Sequence, residues 1–334
     1  MRIGIRVPEC ARADAVADFA REAERLGYDG VWFPDSQLLW RDVWVVAALT
    51  AARTERVRIG IAVTNVETRH PTVIASAIRT VQDLARDRLV VGFGAGNSSL
   101  GLLGIDPTPR ARMHERIDLV RGLLRGDDRE LGGGFGRLRD ATVACPIYLA
   151  AGGPRNLRFA PRLAEGVIVP GGVSDALLSR SLKLIAEGAR EAGRPAEDVP
   201  VVVSAFAHIT DDPERDVRLL KPICAAMSVA GGGAALAAEG IQVESLPPRV
   251  ARVYPDLLHA EDWELAVRLA DELVSDETAA RFAEAFCLFG SEGDVAARLA
   301  GMEAAGVSEV LLRHVGSYDL PYSLMEAFVP VAAR

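Results

Sequence analysis

The chain has 334 residues, enough for one large hydrophobic core or two modest ones. Hydrophobic residues make up 49% of it and the mean hydropathy is +0.15, which excludes a disordered chain. Basic side chains number 38 against 46 acidic ones, a net charge of -8 that argues against a nucleic-acid partner.

The elements alternate from end to end. Residues 2–7 read as a strand interrupted by charge, not as a signal peptide. Residues 12–26 form a helix with Val16, Phe19, Ala20, Ala23 and Leu26 on one face. A strand at 30–34, a helix at 42–53 and a strand at 57–63 follow. The next helix has the cleanest period in the chain, with Ile74, Ala77, Ile78, Val81, Leu84 and Ala85 in register. A fourth strand at 88–93 and a helix at 113–125 come next. Strands at 147–150 and 166–169 are followed by helices at 155–164 and 175–193. A strand at 199–207, a helix from 212, a helix at 292–305 and a strand at 307–313 complete the series.

Eight strands alternating with helices predict a single-domain (β/α)8 TIM barrel, with a doubly wound open sheet as the alternative. Two stretches exceed ordinary loop length, 126–145 and 228–262. Both are expected as insertions at the barrel mouth, the first hairpin-like. No run of about 18 apolar residues is present, so no membrane span is expected. The cysteines (Cys10, Cys145, Cys224, Cys287) fit no zinc spacing and the five histidines form no HxxxH pair. A metal site is therefore not expected, and the thiols read as reduced ones in a cytoplasmic protein.

In a parallel α/β fold, ligands bind where the strands end at their C-termini. The second strand ends in Pro34-Asp35-Ser36 and delivers a carboxylate there. Trp32, Trp40 and Trp44 lie around it in sequence, suited to stacking on a ligand or to packing. The third strand ends Thr64-Asn65, followed by Arg69-His70-Pro71. His70 is either a catalytic acid or base or the cap of the following helix. The fourth strand ends Gly94-Ala95-Gly96-Asn97-Ser98-Ser99. It is a poor dinucleotide fingerprint, because Pro107 and Pro109 follow it and no acidic strand end lies about 20 residues on. It reads as a glycine loop offering backbone N–H groups and hydroxyls to a ligand, or as a plain turn. Gly152-Gly153-Pro154-Arg155-Asn156 after the fifth strand lets backbone approach an anion at a helix start. Pro170-Gly171-Gly172 ends the sixth. Three glycine-rich ends on one face suggest one elongated ligand with a phosphate or a flat ring.

With these segments in hand, the chain resembles the bacterial-luciferase-like superfamily of flavin- and deazaflavin-dependent oxidoreductases. Within it the chain is most similar to the F420-dependent branch that includes methylene-tetrahydromethanopterin reductases. The resemblance rests on GYDGVWFPDSQ (27–37), LTAARTERVRIGIAVTNVETRHP (49–71), LVVGFGAGNS (89–98), IYLAAGGPRN (147–156), EGVIVPGG (165–172) and FGSEGDVAARLAGMEAAGVSEVLLR (289–313), in the family order. It implies F420, or alternatively FMN, bound by Asp35, Asn65, Ala95, Gly96, Ser98, Gly152, Gly153, Arg155 and Asn156, and a non-proline cis peptide at Ala62-Val63. It also implies a homodimer through the early barrel helices. Ser36, Asn97 and His70 are the catalytic candidates, and Arg6 and Trp40 the substrate-side ones. Arg6 either neutralises an anionic substrate or pairs with a carboxylate such as Glu9.

The chain also departs from the family pattern. Sugar-phosphate dehydrogenases have His where Ser36 stands and Glu where Asn97 stands, and their phosphate contacts fall on Pro170 and Val173. Reductases often carry Glu where Arg6 stands. The expected activity is hydride transfer between F420 and a small organic molecule. An FMN-dependent monooxygenase and a non-catalytic family member are the alternatives.

Overall fold

Eight parallel strands close into a ring in the computed structural model, which describes residues 1–141, 143–243, 253–316 and 318–329, the side chains at 97 and 230 apart. The strands are β1 (Arg2–Arg6), β2 (Gly30–Phe33), β3 (Arg58–Thr64), β4 (Leu89–Phe93), β5 (Ile147–Ala150), β6 (Gly166–Val169), β7 (Val201–Ile209) and β8 (Glu309–Arg313). Each pairs with the next, and β8 pairs with β1, Arg2 opposite Glu309 and Ile5 opposite Leu312. That last pairing removes the sheet edge an open doubly wound sheet would keep.

Helices α1 (Ala13–Arg25), α2 (Val43–Arg53), α3 (Pro71–Ala85), α4 (Arg110–Leu124), α5 (Pro154–Leu163), α6 (Asp175–Glu191) and α7 (Glu292–Ala304) surround the ring. Their apolar faces, such as Ile74, Ile78 and Val81 of α3, pack on outward strand residues such as Val31, Phe33, Ile59 and Ile61. α7 begins with a reciprocal cap in which Ser291 and Asp294 satisfy each other's backbone. The segments between β7 and α7 form a satellite core around Leu220, Trp263, Phe282 and Phe286.

Alternation along the strands turns every second residue into the ring. Trp32, Val90, Tyr148, Ile168, Val202 and Leu311 fill it. Trp32 is wholly buried and donates its indole N–H to Glu309 Oε1 at 2.6 Å. Glu309 is itself buried and pairs with Arg58 at 2.5 Å and Arg2 at 3.3 Å. The indole needs room, and glycine supplies it. A Cβ on Gly60 would fall 2.0 Å from the ring, and Cβ atoms on Gly4 and Gly30 would each fall 2.9 Å from Nε1.

Three sequence expectations change. Residues 126–145 run from the end of α4 to the start of β5, so their hairpin of residues 129–130 and 135–136 lies at the foot of the ring, not at its mouth. Gln82 near the end of α3 reaches Ala144 O at 2.7 Å, which fixes that position. A short helix, Asn97–Leu100, does follow the fourth strand directly, because the prolines come late enough to leave one turn. The strand Cys287–Gly290, unforeseen in the sequence, pairs with residues 206–209 of β7 beyond the point where β8 leaves it. Of the stretch 228–262, residues 244–252 lie outside the described residues, while Leu258 and His259 reach the mouth.

Gly60→Ala should cost about 3 kcal/mol or more by overpacking the ring. Denaturant unfolding measures it, and a cost below about 1 kcal/mol would show that Trp32 can move aside.

Candidate functional site

At the mouth, the loops after β2, β3 and β4 are stitched together by side chains. Asp35 Oδ2 accepts from Thr64 Oγ1 at 2.7 Å and from Arg69 Nη1 at 2.6 Å. The other amino group of Arg69 reaches Asp42 at 2.8 Å, and Asp42 caps α2 through Trp44 N and Val45 N. Burial pushes the Asp35 carboxyl above its ordinary value, while Arg69 and Thr64 pull it back. A carboxylate this close to a guanidinium remains ionised at neutral pH. Arg69 was not among the sequence candidates, although it stands beside His70.

Ser36 Oγ lies 2.6 Å from Ser98 Oγ, and Gln37 donates to Ser99 O at 2.9 Å. Asn65 donates to Ser99 Oγ at 3.0 Å and accepts from Glu67 N and Thr68 N at 2.8 Å each. Gly96 takes φ +89, a region open to glycine, and its carbonyl accepts from Leu100 N at 2.8 Å. The carbonyl of Ala95 accepts from Thr108 N at 3.0 Å. The peptide Ala62-Val63 is cis, as the resemblance implied. Both side chains pack on the residues that fill the ring, at the floor of the mouth. Gly94 passes so close that a Cβ there would meet Val63 at 2.5 Å.

Gly152, Gly153, Arg155 and Asn156 are exposed at the start of α5. No side chain caps that helix, and nothing lies within 4 Å of where a Cβ on Gly153 would stand. Free N–H groups, an open approach and a neighbouring guanidinium suit an anionic group. His70 points elsewhere. It is exposed and caps α3, its Nδ1 at 3.3 Å from Thr72 N and 2.8 Å from Thr72 Oγ1. Asn97 opens the short helix after β4, and its side chain lies outside the described residues.

The other side of the mouth has a different character. Arg6, Trp40, Phe206, His259, Arg313 and Tyr318 line one cavity over β7, β8 and β1. Trp40 and Tyr318 stack with centroids 5.2 Å apart, and His259 meets Trp40 edge-on at 5.5 Å. Arg6 stands 5.5 Å from the Trp40 ring centroid and Arg313 3.9 Å from that of Phe206. Desolvation lowers both guanidiniums, to about 10 and about 9 respectively. Arg313, His259 and Tyr318 were absent from the sequence candidates. Period-two reading of β8 would have found Arg313, two residues beyond the inward Leu311.

Arg6 does not form an ion pair with Glu9. Glu9 is fully buried, and neither of its carboxyl oxygens has a hydrogen-bond partner. Burial holds that carboxyl well above the ordinary range despite the influence of Arg6.

A family profile described as luciferase-like monooxygenase matches residues 1–309. The chain belongs to the luciferase-like monooxygenase family. The chain is 30% identical over 204 residues to the 5,10-methylenetetrahydromethanopterin reductase of Methanolobus tindarius, covering 59% of this chain and 62% of that protein. It is 35% identical over 203 residues to the F420-dependent glucose-6-phosphate dehydrogenase of Beutenbergia cavernae, covering 54% of this chain and 60% of that one. Both matches span less than two thirds of the relative's own length. The solved coenzyme F420 dependent tetrahydromethanopterin reductase of Methanopyrus kandleri superposes with a TM-score of 0.78 at 22% identity, covering 98% of this chain and 97% of that one. The shared fold is the closed barrel.

Glu9 binds its proton more tightly in the folded chain than in the unfolded one. The stability it contributes is complete below about pH 4 and drains away as pH rises toward its folded pKa. Glu9→Gln, permanently neutral, should therefore melt above the native chain at pH 8 and level with it at pH 4. Coincident melting curves at pH 8 would mean the acid ionises freely in the fold.

Proposed function

We propose that this protein is an oxidoreductase that moves a hydride between the deazaflavin F420 and a small organic substrate. The observation that carries the reading is the open backbone cradle after β5, Gly152-Gly153 with an uncapped helix start beside Arg155. It faces the same mouth as the floor formed by the cis Ala62-Val63 peptide. The donor set suits a flat ring resting on main chain with an anionic tail. The F420-dependent glucose-6-phosphate dehydrogenase named above supports the choice of F420.

When bound, the deazaflavin supplies hydride chemistry at its central ring carbon. The protein contributes position and dryness. The backbone N–H groups of Gly153 and Arg155 and the Arg155 guanidinium would hold the tail, and Asn65, Ala95, Gly96 and Ser98 would frame the ring. Asp35, fixed by Thr64 and Arg69, sets the loop that carries Ser36. Ser36 and Ser98 exchange a hydrogen bond that either hydroxyl can redirect to a substrate oxygen. Ser36 and Asn97 stand where sugar-phosphate dehydrogenases of the family have His and Glu, so the substrate differs from theirs. His70, as the cap of α3, serves by holding the loop after β3.

The alternative is an FMN-dependent monooxygenase, in keeping with the description of the family. Titration of the cofactor-free protein with each compound separates the two. F420 should bind, and Arg155→Ala should weaken it about tenfold through loss of a charge-assisted contact. Tight FMN binding with oxygen consumption would overturn the F420 reading.

The protein assembles as a homodimer through α2 and α3 in this reading. Val45 and Val73 on those helices are exposed, at 61% and 52% of their surface, which suits a covered face. The four thiols are free and fit a reducing cytoplasm. Among the described residues, no helix is long and apolar enough to cross a membrane. Val45→Asp with Val73→Asp should halve the mass seen by light scattering; an unchanged mass would place the contact elsewhere or remove it.

A further inference from the structure

We propose that the substrate carries an oxyanion, a carboxylate or a phosphate ester, gripped between the guanidiniums of Arg6 and Arg313. The inference rests on the oxidoreductase reading, in which the β7–β8–β1 side of the mouth is the substrate side.

The placement follows from the strands. β1 and β8 are neighbours, with Ile5 opposite Leu312. Arg6 continues the inward row of β1 after Gly4, and Arg313 continues that of β8 after Leu311. Two cations therefore arrive side by side at the rim of one cavity, which both line.

Like charges brought together out of water oppose folding. Proteins relieve that cost with carboxylates, and no carboxylate among the described residues does so here. Among the described residues, neither guanidinium forms an ion pair, and Arg313 Nε is buried with no hydrogen-bond partner. Glu9, the nearby carboxyl, makes no hydrogen bond or ion pair with Arg6, and its burial pushes it well above the ordinary range. Asp256 is spent on His259, 2.9 Å from its Nδ1. Both arginines retain their protons at neutral pH even with their depressed values.

The surroundings then select a ligand. An aromatic face backs each guanidinium, Trp40 for Arg6 and Phe206 for Arg313, which fixes the plane and leaves the N–H fork free. A planar fork matches the two oxygens of a carboxylate or phosphate. The space between these side chains is narrow, so the group it admits is small. Trp40, Tyr318 and Leu258 give its remainder an apolar wall. The substrate class is a small organic acid or phosphate ester with an apolar or aromatic body.

The test uses the cofactor-free full chain and three probes: benzoate, phenyl phosphate and neutral benzyl alcohol. Benzoate or phenyl phosphate should raise the melting temperature and bind in calorimetry, and the tighter of the two names the anion. Benzyl alcohol should do neither. Arg313→Met and Arg6→Met replace an unpaired charge by an apolar chain of similar length. Each should melt at or above the native temperature while binding the anion at least about tenfold more weakly. Arg313→Lys, which keeps the charge and loses the fork, should bind between the two. Equal shifts with benzyl alcohol, or a Met variant that melts lower yet holds the anion undiminished, would overturn the proposal. Titrating the native chain and Arg313→Met with F420 in parallel separates the readings. Failure of F420 alone sinks the cofactor reading, and failure of the anions alone sinks this one.

Discussion

Closure of the ring depends on a charge buried at its foot. Glu309 enters on β8, takes the indole N–H of Trp32 from β2, and pairs with Arg58 of β3 and Arg2 of β1. One carboxylate thereby ties four neighbouring strands across the seam where the two ends of the chain meet. A buried carboxylate is tolerable only when its partners are complete, and these partners come from separate strands. The indole fills the space that glycines leave, so the seam is tied by polar bonds and packed at once. Loops at the far end converge because this end is fixed.

The mouth is consequently uneven. From β2 to β6 its rim is main chain, small side chains and hydroxyls bonded to one another. From β7 through β8 to β1 it is aromatic and cationic. The loops after β2, β3 and β4 are already satisfied within the protein: Asp35, Asn65, Ser36 and Ser98 all have partners. The second part holds charges that no described residue neutralises. A surface with its hydrogen bonds complete is preorganised for a ring lying on backbone, whereas unmatched charge favours a ligand of opposite sign.

Much of this was legible in the sequence, for reasons that differ by element. The strand and helix alternation showed because apolar periods of two and 3.6 are set by which face is buried, as in Ile74, Ile78 and Val81. The glycine loop after β4 showed because Gly96 takes a left-handed path and Gly94 leaves no room for a Cβ, and the one after β5 because paired glycines leave the helix start uncovered. The hairpin at 129–136 was placed at the wrong end because loop length says nothing of which end of a barrel a loop occupies; only its position after a helix does. The strand Cys287–Gly290 was hidden because a four-residue segment carries too little period to stand out from the helix before it. His70 bore two readings in the sequence, and the structure shows its ring bonded to the first turn of α3. Arg313 and Arg69 do not stand out in the sequence because neither sits in a glycine-rich strand end. A lone arginine acquires meaning only from what faces it.

The stacked pair of Trp40 and Tyr318 joins residues near opposite termini. The wall it makes belongs to segments other than those that build the glycine-lined rim between 94 and 172. Evolution can therefore retune one wall through residues near 6, 40, 259 and 313–318 while the opposite rim keeps its shape. A barrel partitioned in this way can acquire new specificities without rebuilding the surface beneath them.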